Sequence, residues 1–396
     1  MMDMEDTFGF DHDTGLARDN VNVLKMAICF NRLDIVKTLL GYGIDSNYEK
    51  LDYDYDKDGE SPLHLAVEMG NLDIIDLLIG TGININNKFC YSGHTPLHIA
   101  VKRDTRYDIV DMLLKNGADP SIKNDNNETV LHIAVKNENN AMVDMLLKYS
   151  PDLEPRDCYG FTPLYNAIMK KNSYITKCLL DKGASANAMC DKGCSVLLMA
   201  VSRCGADIVN LLLEHGADTC YMYTYMNSTP LTWFCHCEGS EKNCDITESL
   251  ISYMTMAYHF DKKIGSLPGF KMNQEFIKNS PQLYSYKLKC EKEIETMCNT
   301  MVNHGISMLD SIRTGNQNNC NILARCVESL SDKLSNGKFD IYKRFINKYL
   351  VIGSRRKNIL ELAAKKLVQN FWFLPSEIIY FIAEKIDSDT LELMYE

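Results

Sequence analysis

Long apolar runs are missing from this chain of 396 residues: no stretch approaches the ~20 uninterrupted apolar residues of a membrane span. The opening, Met1-Met2-Asp3-Met4-Glu5-Asp6, is acidic where a secretory leader is basic and then apolar. The chain is therefore expected to stay in the compartment where it is made. Catalytic signatures are missing too. There is no Gly-x-Ser-x-Gly and no His-Glu-x-x-His. Gly41-Tyr42-Gly43 has neither the strand nor the Lys-Ser/Thr of a phosphate loop. No C-x-x-C pair occurs among the 15 cysteines, an odd number without a paired framework. That pattern predicts free thiols in a reducing cytosol, with Cys29 and Cys178 at core positions. Binding is the default functional class, and no cofactor, catalytic residue or metal ligand is assigned.

Basic charge is also scarce. The net charge of −11 argues against nucleic acid as the main partner. It is unevenly spread: residues 1–60 hold 14 acidic and 6 basic side chains, whereas 333–366 hold 10 basic and 2 acidic. The basic stretch reads as a solvated helix face, with docking of an acidic partner as the alternative.

What the chain has in abundance is one short motif. Gly93-His94-Thr95-Pro96-Leu97-His98-Ile99-Ala100 recurs as Gly59-Glu60-Ser61-Pro62-Leu63-His64-Leu65-Ala66 and as Asn127-Glu128-Thr129-Val130-Leu131-His132-Ile133-Ala134. It returns from Gly160 and Gly193 and, worn, from Ser228. The hydroxyl residues stand at 61, 95, 129, 162, 195 and 229, in steps of 34, 34, 33, 33 and 34. So constant a period means one structural unit stacked many times. The Ser/Thr suits a helix N-cap, and proline fits the first helical position. The Leu and Ala positions face the neighbouring unit. His64, His98 and His132 are expected to bond backbone in the turn rather than a metal. A second amphipathic run follows about 16 residues on and closes at Gly82, Gly117, Gly183 or Gly216, residues suited to a left-handed C-cap.

Helix, turn, helix and loop at this spacing resemble the ankyrin repeat over about 35–240. The resemblance implies an all-α fold: an ankyrin-repeat solenoid followed by a C-terminal helical region ending in a short F-box-like helical motif. The expected layout is a loose or disordered cap at 1–20 and about seven repeats over 21–240, first and last degenerate. A degenerate and helical region covers 241–370, and the terminal motif 371–396. The first repeat emerges at Asn22 and closes at Gly43, with an insertion of about five residues at 46–57. Asp54-x-Asp56-x-Asp58-Gly59 in that loop opens like a calcium site. Its twelfth position is Leu65 where a bidentate Glu is needed, so calcium is rejected. Beyond 235 the pattern dissolves, and Pro268-Gly269 and Pro281 are read as loops. Cys235-His236-Cys237 with Cys244 fits no zinc spacing and is read as reduced thiols. Periodicity resumes at Glu291–Val302, and helices are expected at 321–334, 340–349 and 357–369.

Leu374-Pro375-x-Glu377-Ile378 opens a helix whose Ile378, Ile379, Ile382 and Ile386 form an apolar stripe. It resembles the start of an F-box, although the 23 residues from Leu374 to Glu396 are fewer than a full F-box needs. Ankyrin repeats followed by such a motif resemble the poxvirus ankyrin proteins of the PRANC type. That resemblance implies a non-enzymatic viral substrate adaptor in the host cytoplasm. Leu374, Pro375, Ile378 and Ile382 would meet the host Skp-type adaptor of a cullin–RING ubiquitin ligase, and the repeats would hold an unidentified host protein. No nucleic-acid or membrane partner is expected. The alternative is an ankyrin protein that sequesters a host signalling or innate-immune factor without recruiting a ligase. Tyr53, Tyr55, Phe89, Tyr91, Tyr159, Tyr223 and Tyr225 fall at turns and are the expected target anchors. Packing on adjacent turns is the competing role for each.

Overall fold

The computed structural model describes residues 22–44, 61–89, 92–103, 106–149, 151–238, 244–303, 306–310 and scattered positions between 331 and 358. The chain divides into two compact units, 1–217 and 218–396.

The first unit is a stack of helix pairs. Helix α1 (22–29) pairs in sequence with α2 (Leu33–Gly41), then α3 (Pro62–Met69) with α4 (Leu72–Gly80), and α5 (Pro96–Lys102) with α6 (Tyr107–Lys115). The remaining pairs are α7 (Val130–Lys136) with α8 (Asn140–Lys148), α9 (Pro163–Met169) with α10 (Ser173–Asp181), and α11 (Val196–Arg203) with α12 (Ala206–Glu214). First helices pack on first helices (α3, α5, α7, α9, α11), and second helices on second (α8, α10, α12). This is the ankyrin arrangement.

The motif residues explain why. Ser61, Thr95, Thr162 and Ser195 are extended N-caps whose hydroxyls accept from the backbone N–H three residues on, and proline opens α3, α5 and α9. Asn71, Asn139 and Asn172 cap the second helices in the same way. Leu63, Ala66, Leu97, Ala100, Leu131 and Ala134 are buried, the alanines where first helices meet. Gly43, Gly82, Gly117, Gly183 and Gly216 take positive φ after the second helices. The pair α7–α8 has no such glycine and ends at Tyr149. Cys29 is exposed and Cys178 half-buried, which corrects their core placement. Cys29 is the last helical residue of α1, and Cys178 lies on α10 beside Tyr174.

In the second unit the helices continue where the repeat pattern fades. Helix α13 (Pro230–Glu238) is followed by α14 (Cys244–Phe260), a 3-10 turn (Lys262–Ser266), α15 (Pro268–Lys278) and α16 (Pro281–Asn299). Pro268 and Pro281 open α15 and α16 instead of marking loops, because proline suits the first helical position as well as a turn. Helices α14 and α16 run 17 and 19 residues, about twice the repeat helices, so no 33-residue period survives. The helix expected at Glu291–Val302 is the end of α16, and residues beyond it form a small antiparallel hairpin, β1 (Met301–Asn303) with β2 (Ile306–Ser307).

Helix α15 covers the start of α13. Asn273 joins Thr229 Oγ1 and donates to Thr219 O at 3.2 Å, and a Cβ on Gly269 would meet Cys220 O. From further along, Phe339, Tyr342 and Ile346 are buried. The Tyr342 hydroxyl donates to Ser252 O on α14 at 3.1 Å, and the Ile341 and Tyr342 N–H groups donate to the Glu293 carboxylate on α16. The cap at 1–20, the loop at 46–57 and the terminal motif at 371–396 lie outside the described residues, as do most positions of the helices expected at 321–334, 340–349 and 357–369.

Candidate protein-docking surface

Two of the tips between repeats are shaped by an Asn or Asp. Asn124 Oδ1 accepts from the N–H groups of Asn126 and Glu128, both at 2.9 Å. Asp157 Oδ1 accepts from those of Tyr159 and Phe161, both at 3.0 Å. The backbone then closes the turn, Asn124 N to Glu128 O at 2.9 Å and Asp157 N to Phe161 O at 3.0 Å. Tips also bond along the stack, as in Asp125 N to Ser92 O at 3.1 Å and Cys158 N to Asn126 O at 2.9 Å. The result is a row of hydrogen-bonded tips whose outermost residues are exposed, a surface preorganised for a partner.

The three histidines lock this row to the helices. His64, His98 and His132 each accept the N-cap backbone N–H at Nδ1, at 3.2–3.3 Å. That leaves the proton on Nε2, which donates to a carbonyl in the next repeat: His94 O at 3.0 Å, Glu128 O at 3.2 Å and Phe161 O at 3.0 Å. Burial pushes His64 and His98 down to about 4 and lowers His132, so all three are neutral at pH 7. They are backbone clamps.

A charge cluster pins the fourth tip. Lys136 Nζ donates to Glu128 Oε1 at 2.7 Å and to Asp157 Oδ2 at 2.9 Å. The Asp157 side chain is fully buried. Burial alone pushes Asp157 up, but Lys136 and the Phe161 and Tyr159 N–H groups outweigh it and hold its carboxyl below the usual range.

Of the aromatic anchors read from the turns, Tyr53, Tyr55 and Tyr91 lie outside the described residues, as do Leu374, Pro375, Ile378 and Ile382. Phe89 is half-buried with its ring 6.2 Å from His64. Tyr223 is half-buried too, with its ring 6.2 Å from that of Tyr225. Tyr159 is 65% exposed and Tyr225 82%. These last two are the ones free to meet a partner. Sequence reading missed what stands behind Tyr159: its ring lies 5.7 Å from Phe161, which stacks on Tyr165 at 4.4 Å and 4°. It also missed Tyr149 and Tyr174, exposed residues of the second-helix layer whose hydroxyls donate to Asp111 and Asp144 on the preceding outer helices. The available signal was a Tyr at 165 in the register of the histidines.

Comparison with known families matches ankyrin repeats (3 copies) at 24–124 and 108–190, an ankyrin repeat at 192–222, and a PRANC domain at 303–396. The PRANC match begins well before the Leu-Pro motif and takes in Tyr342. Ankyrin repeat protein FPV026 of Fowlpox virus (strain NVSL) is 38% identical over 175 residues, 44% of this chain and 40% of that protein. The chain thus spans about two fifths of that relative. Ankyrin repeat protein FPV031 of the same virus is 24% identical over 95% of this chain and 92% of its own length.

Proposed function

We propose that this chain, which carries ankyrin repeats and a C-terminal PRANC domain, is a non-catalytic viral substrate adaptor. Both modules are protein-interaction modules. The repeat tips hold a host protein, and the C-terminal region recruits a host Skp-type adaptor with its cullin–RING ubiquitin ligase. Tethering raises the effective concentration of the target near the transferring enzyme, so this chain need supply no chemistry. The observation that carries the reading is the order of modules, with Leu374-Pro375-x-Glu377-Ile378 inside the PRANC match. The full chain is compared in a host-lysate pull-down with one ending at Phe373 and with Leu374→Ala/Pro375→Ala. Skp-type adaptor and cullin should come down with the full chain and be lost from both variants. A folded full chain that recovers neither would leave the sequestering function in its place.

A further inference from the structure

A cavity of about 500 Å³ opens between the loop before α13, α13 itself and α15. Its walls are Trp233, Phe276, His236, Met226 and Met272, with the Glu275 carboxylate among the lining groups. From these residues we infer that the cavity binds an arginine side chain of a partner polypeptide. This goes beyond the ligase reading and does not depend on it.

The aromatic rings, the Glu275 carboxylate and His236 together suit a cation rich in hydrogen-bond donors. The His236 and Phe276 rings lie 5.8 Å apart at 37°, and with Trp233 they offer π-faces to a flat positive group. His236 Nδ1 donates to Thr232 O, so in the neutral ring Nε2 is an acceptor. Glu275 is exposed and forms no ion pair among the described residues, although Lys271 and Lys278 stand a turn away on α15. Met226 and Met272 supply thioether surface suited to an alkyl stem. A guanidinium matches all of these at once: it is planar, carries five donors and no acceptor, and forks onto a carboxylate. An aliphatic side chain would leave Glu275 and Nε2 unanswered. Ser228 adds a second observation. Its Oγ is buried at the cavity wall without a hydrogen-bond partner among the described residues. A main-chain carbonyl brought in with the arginine would satisfy it once the wall shifts to admit it.

The sequence supplies the probe. Trp233 and Trp372 are the only two tryptophans of the chain, so Trp372→Phe in the full-length protein makes Trp233 the sole reporter. This variant is titrated with a blocked pentapeptide carrying a central arginine, and with the same peptide carrying citrulline or norleucine. The expected result is a saturable change in Trp233 emission, with arginine bound roughly 10- to 30-fold more tightly than citrulline. Adding Glu275→Gln, a change at an exposed position, should bring the arginine and citrulline affinities together while the far-UV spectrum stays the same. Equal binding of the norleucine or citrulline peptide, an arginine preference that survives Glu275→Gln, or no saturable response to the arginine peptide up to about 10 mM would each overturn the proposal.

Discussion

The imidazole Nε2 of His98 lies 3.2 Å from the carbonyl oxygen of Glu128, thirty residues on, in the next repeat. The same ring accepts the Thr95 N–H at 3.2 Å, so one side chain caps its own helix and holds its neighbour's tip. His98→Ala removes both bonds, leaves the Thr95 N–H without a partner and opens a cavity in a fully buried site. A loss of about 2–4 kcal/mol is expected, read as a lower urea midpoint with an unchanged slope.

The three clamps also make the stack sensitive to acid. Their folded pKa values lie below the ordinary histidine value of 6.5, so between that value and about 4 the unfolded chain takes up protons that the folded one does not. Stability is complete above pH 6.5 and falls as the pH drops toward 4, by roughly 3 kcal/mol for each of His64 and His98. Urea midpoints measured from pH 7.5 to 4.5 should decline, and the decline should be shallower in His64→Gln/His98→Gln.

Lys136 offers a contrast in electrostatics. Lys136→Met leaves the buried Asp157 carboxylate without its cation, and a cost of about 3–5 kcal/mol is expected. Lys115→Met removes an exposed, solvent-screened pair with Asp111 and should leave the melting temperature nearly unchanged. Thermal melts of the two variants side by side decide it. Similar small losses in both would mean that Asp157 is held by the tip N–H groups alone.

The periodic half of the fold was legible because each repeat states its own boundaries. A hydroxyl, a proline and a small residue at fixed offsets specify cap, first turn and close helix approach, and they recur at 61, 95 and 162 and, without the proline, at 129 and 195. Beyond 235 the same residue types stopped being decisive. Pro268 and Pro281 are as compatible with a turn as with a first helical position, and only tertiary packing, such as Asn273 of α15 against Thr229, selects the helix. The docking surface was half legible for a related reason. Turn position shows that an aromatic can be exposed, but not whether it folds back, as Phe89 does toward His64 while Tyr159 stays out. The Lys136–Asp157 pair spans 21 residues and leaves no periodic trace.

Tyr159 and Tyr225 should therefore separate binding from folding. Each is exposed, and replacement by serine is expected to change stability by no more than about 0.5 kcal/mol. If these rings are target anchors, proteins captured by the intact chain from host lysate should be depleted at least severalfold by Tyr159→Ser, Tyr225→Ser or both. Quantitative mass spectrometry of matched pull-downs reads this. An unchanged capture profile would move the contact to other tips or to the first-helix face.

A last pair of substitutions tests whether the tips are rigid because they touch. Gly160 and Gly183 both take left-handed backbone, at φ 73° and 97°, so alanine at either position costs about 1 kcal/mol from conformation alone. Their surroundings differ. A Cβ at Gly183 meets nothing within 4 Å, whereas one at Gly160 falls 2.7 Å from the Asp191 backbone nitrogen in the next tip. Backbone cannot swing aside as a side chain can. Gly160→Ala should therefore cost at least about 2 kcal/mol more than Gly183→Ala, with the tips from 157 to 194 gaining amide exchange. Equal costs would mean that neighbouring tips yield freely, and a yielding row of tips could not hold Tyr159 in a fixed position for a partner.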